Sequence, residues 1–364
     1  MRILHVVQPP RGGAPVLVEL LARSQSTRHD VGVVCRPAVA RRLVDLQGMV
    51  WSVPMERSIR PVGDARDLGR LVRIVRTYRP DVIHAHSSKA GALGRAAGAL
   101  TGVPVVFSPH NFAHLIHEGG PWLRMAFLSL ERLLAPLTDH LHLAYEQERE
   151  QALRWGLARP GKVSVIPNGI ATQPLLRLDA AGSSPPRVGT YARLWPQKQL
   201  DLLVRAAARL SERGRSFELL IIGDGPLRAE LEQLSDSLGM LDHTHYLPDP
   251  GGPTQALAMI DVFVLSSAQE AFPLTPMEAM AAGRPVVATA VGAIPQIVED
   301  GRTGFIVPAG DEPALAEALD RLLADSQLRA AMGEAARATA AERFDVSLMA
   351  ERMDAVYRAA IGKR

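Results

Sequence analysis

The sequence predicts an α/β protein in which a parallel sheet wound by helices is built twice. Short apolar runs alternate with amphipathic stretches from one end of the chain to the other, the pattern of strand–helix–strand units. The 364 residues leave room for more than one core, because domains run to about 100–200 residues. Near the middle, Gly182-Ser183-Ser184-Pro185-Pro186 has the composition of a connecting segment, and the same rhythm restarts after it.

Taken in order, Met1-Arg2-Ile3-Leu4-His5-Val6-Val7 is a short apolar run that meets Pro9-Pro10 and Gly12-Gly13. It is too short for the apolar region of a signal peptide and reads as a first buried strand. Further strands are predicted at 31–35, 81–85, 103–107 and 140–143. A helix is predicted over 64–78, with Leu68, Leu71, Val72, Val75 and Tyr78 on one face and Arg66, Arg70, Arg73 and Arg76 elsewhere. After the break, strands are predicted at 188–191, 217–222, 261–265, 285–288 and 304–307. Ala, Leu, Glu and Arg content with helical spacing predicts closing helices over 314–324, 326–343 and 346–361. The domains are therefore placed at 1–170 and 187–345, both Rossmann-like, with a linker at 171–186.

Bulk composition narrows the function. The chain is 47% hydrophobic and 22% charged, and its 5% aromatic content leaves few rings on which bases could stack, so nucleic acid is not an expected partner. A formal net charge of +3 confines any anion-binding patch to a local site. Cys35 is the single cysteine, which excludes an internal disulfide and fits a reducing compartment. No run approaches the ~20 apolar residues that span a bilayer. A cytoplasmic protein is expected. The basic helix at 64–78 adds a second expectation, peripheral contact with an anionic membrane surface, against the plainer reading of a solvated helix.

The segment with most chemistry runs from Glu270 through Ala271-Phe272-Pro273-Leu274-Thr275-Pro276-Met277 to Glu278, between a strand ending near Ser266-Ser267 and the helical Ala279-Met280-Ala281-Ala282-Gly283. Thr275 as N-cap, Pro276 at the first helical position and Glu278 three residues after Thr275 predict a capping box. Spacing leaves two roles open for Glu278, a cap or a ligand-binding acid. Glu270 has no capping role; a carboxylate just ahead of a helix end suits sugar hydroxyls, while free amides there suit phosphate.

Upstream, Gly189-Thr190-Tyr191-Ala192-Arg193-Leu194-Trp195-Pro196-Gln197-Lys198 takes a strand into a loop bearing Arg193 and Lys198. Two cations at a strand's carboxyl end can neutralise a diphosphate without a metal, although surface charges would look the same in sequence. In the first half, Arg11-Gly12-Gly13-Ala14 joins strand to helix, and both His84-Ala85-His86-Ser87-Ser88-Lys89-Ala90-Gly91 and Ser108-Pro109-His110-Asn111-Phe112 follow strands. His84, His86 and His110 lack a carboxylate to complete a ligand set, so no metal and no cofactor is expected.

These segments, together with Ile222-Gly223-Asp224-Gly225-Pro226 and the stretch from Val291-Gly292 through Gly301 to Gly304-Phe305, resemble the retaining GT-B glycosyltransferases of family 4 over essentially the whole chain. The resemblance implies two domains facing across a cleft, with the last helix (346–364) returning to the first domain. It implies transfer of a sugar from a UDP- or GDP-linked donor to an acceptor hydroxyl with retained configuration. Glu278 then binds the ribose and Glu270 the donor sugar, Arg193 and Lys198 hold the diphosphate, and Gly12, Gly13, Gly223, Phe272, Pro273, Leu274 and Thr275 line the donor. His110 matches the family's histidine near the donor sugar; His86, Lys89 and Asn111 fall on the acceptor side. Where the family commonly has glycine after the first acid, this chain has Ala271. The segment around Lys89 and the helix from residue 64 resemble enzymes that build capsule or exopolysaccharide units on a polyprenyl carrier, which implies a carbohydrate or lipid-linked acceptor and a place at the inner face of the membrane. The rivals are a nucleotide-sugar 2-epimerase and a non-catalytic nucleotide-sugar-binding protein.

Overall fold

The computed structural model describes residues 1–46, 48–56, 58–112, 120–179 and 182–362. The chain divides into two compact units, Met1–Gly169 with Val346–Arg364, and Ile170–Asp345.

The first unit holds a seven-stranded sheet of β1 (Arg2–Val7), β2 (Asp30–Cys35), β3 (Met49–Ser52), β4 (Val82–His86), β5 (Val105–Ser108), β6 (His140–Leu143) and β7 (Val163–Val165), in the order β3-β2-β1-β4-β5-β6-β7. Every pairing is parallel. The second unit holds β8 (Arg187–Tyr191), β9 (Glu218–Ile222), β10 (Thr244–Leu247), β11 (Val262–Leu265), β12 (Val286–Thr289) and β13 (Gly304–Val307), again all parallel, in the order β10-β9-β8-β11-β12-β13. Helices cover both faces of such sheets, so central strands are apolar on both sides. Ile3, Leu4, Val6, Val7, Val33 and Val34 are fully buried in the first sheet, and Ile221, Ile222, Val262, Phe263 and Val264 in the second.

The edge strands β3, β7 and β10 escape the sequence reading. Their stretches MVWS, VSV and THYL are short and only partly buried, so they carry no continuous apolar run. In each sheet the chain reverses its direction of travel between a central pair, β1 with β4 and β8 with β11. Beyond the carboxyl ends of such a pair the loops diverge and leave a crevice.

The segment 171–186, expected as a linker, is part of the second unit. Thr172–Leu176 forms a helix with Leu175 buried. Arg337 donates to the carbonyls of Leu176 and Leu178 at 3.0 and 2.8 Å. Asp261, at the foot of β11, accepts from the amides of Gly182, Ser183 and Arg187 at 2.9, 3.2 and 2.7 Å. The Gly-Ser-Pro composition therefore marks a stapled turn: a buried carboxylate uses the free backbone donors that such a turn exposes. The C-terminal helix Val346–Ile361 lies in the first unit on the helix Gly13–Ser26, burying Met349, Met353 and Tyr357. Each such side chain contributes about 1.5–3 kcal/mol of burial, enough to hold the helix to this unit.

The helix predicted over 64–78 spans Pro61–Tyr78, and its apolar face is spent internally. Leu71, Val75 and Tyr78 are in the core, with Leu68, Val72 and Ile74 packed against it, so the exposed face carries Arg66, Arg70, Arg73 and Arg76, with Val62 at its start. Among the described residues, no helix is long and apolar enough to cross a membrane.

Candidate active site

In the second unit, the loops leaving β8 and β11 at the reversal point are bonded to each other. The Ala268 amide donates to the Gln197 carbonyl at 2.9 Å, and Ser266 Oγ to the Lys198 carbonyl at 2.9 Å. Thr289, ending β12, donates to the Ser267 carbonyl at 2.6 Å and fixes the second loop from the other side. This brings Lys198 Nζ to 2.6 Å from Glu270 Oε1, with both side chains 12% exposed. Ser267 Oγ donates to the same oxygen at 2.7 Å. Glu270 Oε1 is thereby saturated, and among the described residues Oε2 has no hydrogen-bond partner. Arg193 is exposed on the same loop, its guanidinium 5.5 Å from the Trp195 ring centroid, and it makes no ion pair among the described residues.

The helix after Glu270 begins at Leu274, one residue before the predicted N-cap, and Pro273 occupies the cap position with φ −70° and ψ 143°. The predicted capping box does not form. Proline's ring already fixes the extended geometry at the cap, so Thr275 lies inside the first turn, and no side chain caps the helix. The amides of Leu274 and Thr275 are left for another acceptor. Glu278 is buried at 7% exposure and has no hydrogen-bond partner among the described residues. Burial pushes its carboxyl up to about 7.

Backbone contacts set the shape of this corner. Gly223 has φ 138° and a Cβ there would sit 2.0 Å from the Ala192 carbonyl oxygen, so only glycine lets the loops after β8 and β9 touch. The Ala271 carbonyl accepts from the Ala293 amide at 2.8 Å, and Ala271 keeps a negative φ, so the residue that replaces the family's common glycine is accommodated. Phe272 is buried, edge-to-face with Phe344 at 6.4 Å.

The first unit's strand ends look different. Gly12 (φ 102°) caps the helix Gly13–Ser26, again with no side-chain cap bond. Lys89 is not a free cation: its ammonium donates to both oxygens of Asp64 at 2.6 Å and to the Ser58 carbonyl at 2.9 Å. His86 is 1% exposed and bonds His110 Nε2 at 2.9 Å and His5 Nδ1 at 3.1 Å. His110 and Asn111 follow β5 with φ 55° and 139°, backbone strain of about 1–3 kcal/mol per residue that a packed surround must hold.

Sequence reading missed His5, His142, Gln25 and Tyr357, which join His84, His86 and His110 in one buried hydrogen-bonded row. The available signal was a set of histidines inside otherwise apolar strand runs, since a buried polar group needs a partner. Burial lowers all these imidazoles, His5 and His142 to about 4 and His110 to about 3, with His84 and His86 also well below the ordinary value. Nitrogens of His5, His84 and His86 lie within 4.8 Å of one another, the one such cluster among the described residues. Every ring nitrogen of these three is already in a hydrogen bond, so a metal there would have to displace those bonds.

Comparison with known proteins decides the family. Residues 180–339 match the family described as glycosyl transferases group 1, and residues 11–169 the glycosyl transferase 4-like domain. The chain belongs to the group 1 glycosyltransferases. It is 33% identical over 276 residues to a D-inositol 3-phosphate glycosyltransferase of Actinosynnema mirum, covering 69% of this chain and 66% of that protein, so it spans about two thirds of that relative's length. It is 27% identical over 332 residues to the UDP-Gal:alpha-D-GlcNAc-diphosphoundecaprenol alpha-1,3-galactosyltransferase of Escherichia coli, covering 85% of this chain and 83% of that one. Its fold matches the crystal structure of Anabaena Alr3699/HepE in complex with UDP-glucose with a TM-score of 0.81 and 24% identity, over 98% of each chain. This group 1 glycosyltransferase thus has the GT-B fold of two Rossmann-like domains, and family membership decides against the epimerase and the non-catalytic binding protein.

Proposed function

We propose that the enzyme transfers a sugar from a UDP-linked donor to the hydroxyl of a lipid-linked carbohydrate, with retained anomeric configuration, in polysaccharide assembly at the inner face of the membrane. The observation that carries this is the Lys198–Glu270 pair at the β8/β11 reversal, beside an uncapped helix start at Leu274. That corner offers a diphosphate two cations and open amides, and offers a sugar the unused oxygen of Glu270. UDP is favoured over GDP because the galactosyltransferase relative uses UDP-Gal and the Anabaena protein binds UDP-glucose.

In this reading Lys198, Arg193 and the amides of Leu274 and Thr275 hold the diphosphate, and Glu270 Oε2 accepts from a sugar hydroxyl. Glu278, buried with no hydrogen-bond partner among the described residues, accepts from the ribose. Gly12, Gly13 and Gly223 give the donor close backbone approach, and His110 meets the sugar. The bond from the anomeric carbon to the phosphate oxygen breaks, the acceptor oxygen bonds that carbon on the same face, and the leaving phosphate takes the acceptor's proton. The charge growing on the phosphate is met by preorganised cations and amides, which do the work a divalent ion does elsewhere.

Membrane contact is assigned to the helix Gly120–Leu134, whose Trp122 and Leu133 are 83% and 74% exposed, rather than to the helix Pro61–Tyr78 with its buried apolar face. The test uses the purified full chain with a panel of UDP- and GDP-sugars. A matching UDP-sugar is expected to raise the melting temperature and, with a polyprenyl-diphosphate-linked sugar as acceptor, to give a product of unchanged anomeric configuration with or without EDTA. Inverted product, loss of transfer on chelation, or a GDP-sugar as the sole donor would overturn the corresponding part.

A further inference from the structure

The buried row in the first unit can be followed atom by atom. His142 Nε2 lies 3.0 Å from the Ile166 carbonyl oxygen and its Nδ1 2.7 Å from Ser108 Oγ. Ser108 Oγ is 2.7 Å from His84 Nε2, and His84 Nδ1 is 2.8 Å from the Tyr357 hydroxyl. That hydroxyl meets Gln25 Nε2 at 3.3 Å, and Gln25 Oε1 meets His5 Nε2 at 2.8 Å. His5 Nδ1 is 3.1 Å from His86 Nε2, and His86 Nδ1 is 2.9 Å from His110 Nε2.

A peptide carbonyl can only accept, and this fixes the direction of the whole row. His142 must carry its proton on Nε2, so its Nδ1 accepts from Ser108. Ser108, having given its proton, accepts from His84 Nε2–H. His84 Nδ1 then accepts from Tyr357, and Tyr357 accepts from the Gln25 amide nitrogen. Gln25 must turn its oxygen to His5, which therefore carries its proton on Nε2; His86 and His110 follow in the same sense. The opposite direction would leave the lone pair of His142 Nε2 facing a carbonyl, an unsatisfied buried pair costing about 1–3 kcal/mol. Each link holds one proton, so a second proton can enter without breaking a link only at His110 Nδ1. Burial keeps the other rings neutral, in line with their lowered pKa values.

We propose that the Ile166 carbonyl, acting through this row, holds His110 with its proton on Nε2 and its Nδ1 free to accept from a hydroxyl of the substrate, which makes Gln25 and Tyr357 positioning residues for the transfer. The row spans the sheet from β6 through β5 and β4 to β1, and the C-terminal helix supplies Tyr357, so that helix carries a link as well as packing surface. The functional half rests on the reading that His110 meets the sugar; the assignment of proton positions does not.

The experiment is a long-range proton–nitrogen correlation spectrum of the nitrogen-labelled full chain, in wild type and Tyr357→Phe. In wild type, His5, His84, His86, His110 and His142 are expected with protons on Nε2; a proton on Nδ1 of His110 would overturn the proposal. Tyr357→Phe cuts the row, and His110 is expected to become a mixture of both tautomers although it does not touch Tyr357. An unmixed His110 in that variant would show its tautomer to be set locally and would also overturn the proposal. Turnover of the variant is expected to fall in proportion to the share of His110 left in the working tautomer, about twofold for an even mixture. Normal turnover with a mixed His110 would remove the functional half, whereas absence of any sugar transfer by wild type would sink the glycosyltransfer reading and leave the spectrum standing. The wild-type spectrum keeps the proposal testable if the variant does not fold.

Discussion

The two strand-reversal points solve opposite electrostatic problems. At β1/β4 the polar groups are neutral imidazoles, a hydroxyl pair and an amide, bonded to one another and sealed in apolar surroundings. At β8/β11 they are an ammonium, a guanidinium and a carboxylate pair, one acid buried without a hydrogen-bond partner among the described residues and another half-occupied. The difference teaches that one fold used twice can divide labour: in the reading proposed above, the neutral row fixes geometry and proton position, and the charged corner matches the charge of a ligand. Neutral rows lose their purpose when charged, and charged corners lose theirs when neutralised.

The largest consequence is a split response to acid. Groups with depressed pKa hold the first unit: His5 and His142 fall to about 4, so their stability is complete above the unfolded value of about 6.5 and is lost as pH falls toward 4. At pH 5 each such imidazole removes about 2 kcal/mol. Glu148 in the same unit, raised to about 7 by burial, opposes this by a similar amount, but His84, His86 and His110 add to the loss. In the second unit Glu278, raised to about 7, destabilises the fold increasingly from its unfolded value of about 4.5 up to 7, so acidification from 7 to 5 returns about 2 kcal/mol. Hydrogen exchange of the full chain, resolved by segment, is expected to show protection falling in β4 and β5 and rising around Leu274–Ala281 over that interval. Parallel loss in both units would erase the contrast.

Next in size is Lys198→Ala. Removing a preorganised cation from developing phosphate charge is expected to cut turnover about 10²–10³-fold, or about 3–4 kcal/mol, far more than the loss from Tyr357→Phe. His110 is expected to keep its tautomer. Near-normal turnover in the folded variant would take the diphosphate away from this corner.

How much of this was legible in the sequence follows the same division. The central strands were readable because burial on both faces writes a continuous apolar run, as in Val31 to Cys35 or Leu219 to Ile222. Edge strands such as Met49–Ser52 are half solvated and write none. Glu270, Lys198 and Arg193 were readable as charges at strand ends, but the contact between Lys198 and Glu270 depends on β8 and β11 being neighbours, which is a property of strand order. The capping box at Thr275 failed because a proline two residues before the expected cap had already set the helix start. The neutral row was least legible: Gln25 and Tyr357 meet across 332 positions of sequence, and neither is unusual in its own helix.

The smallest expected effect separates the two corners by what lies beside their glycines. Gly292 has φ 53°, and a Cβ there would fall 2.2 Å from the Glu270 carbonyl oxygen and 2.7 Å from that of Ala271. Both obstacles are backbone, so Gly292→Ala must push the 270–271 turn aside and weaken the 2.8 Å bond from the Ala293 amide to Ala271. About 2 kcal/mol of stability is expected to go, read by denaturant unfolding, together with a rise in the donor KM as Glu270 leaves its place against Lys198. Gly13 in the first unit is the counterpart: its φ is not positive and a Cβ there meets nothing within 4 Å. Gly13→Ala is therefore expected to leave stability unchanged or raise it by about 0.5 kcal/mol, so any loss of transfer in that variant reports crowding of the substrate itself. Equal destabilisation by the two substitutions would mean that the glycines at both corners serve the chain, and that the first unit's loop keeps no space for a ligand.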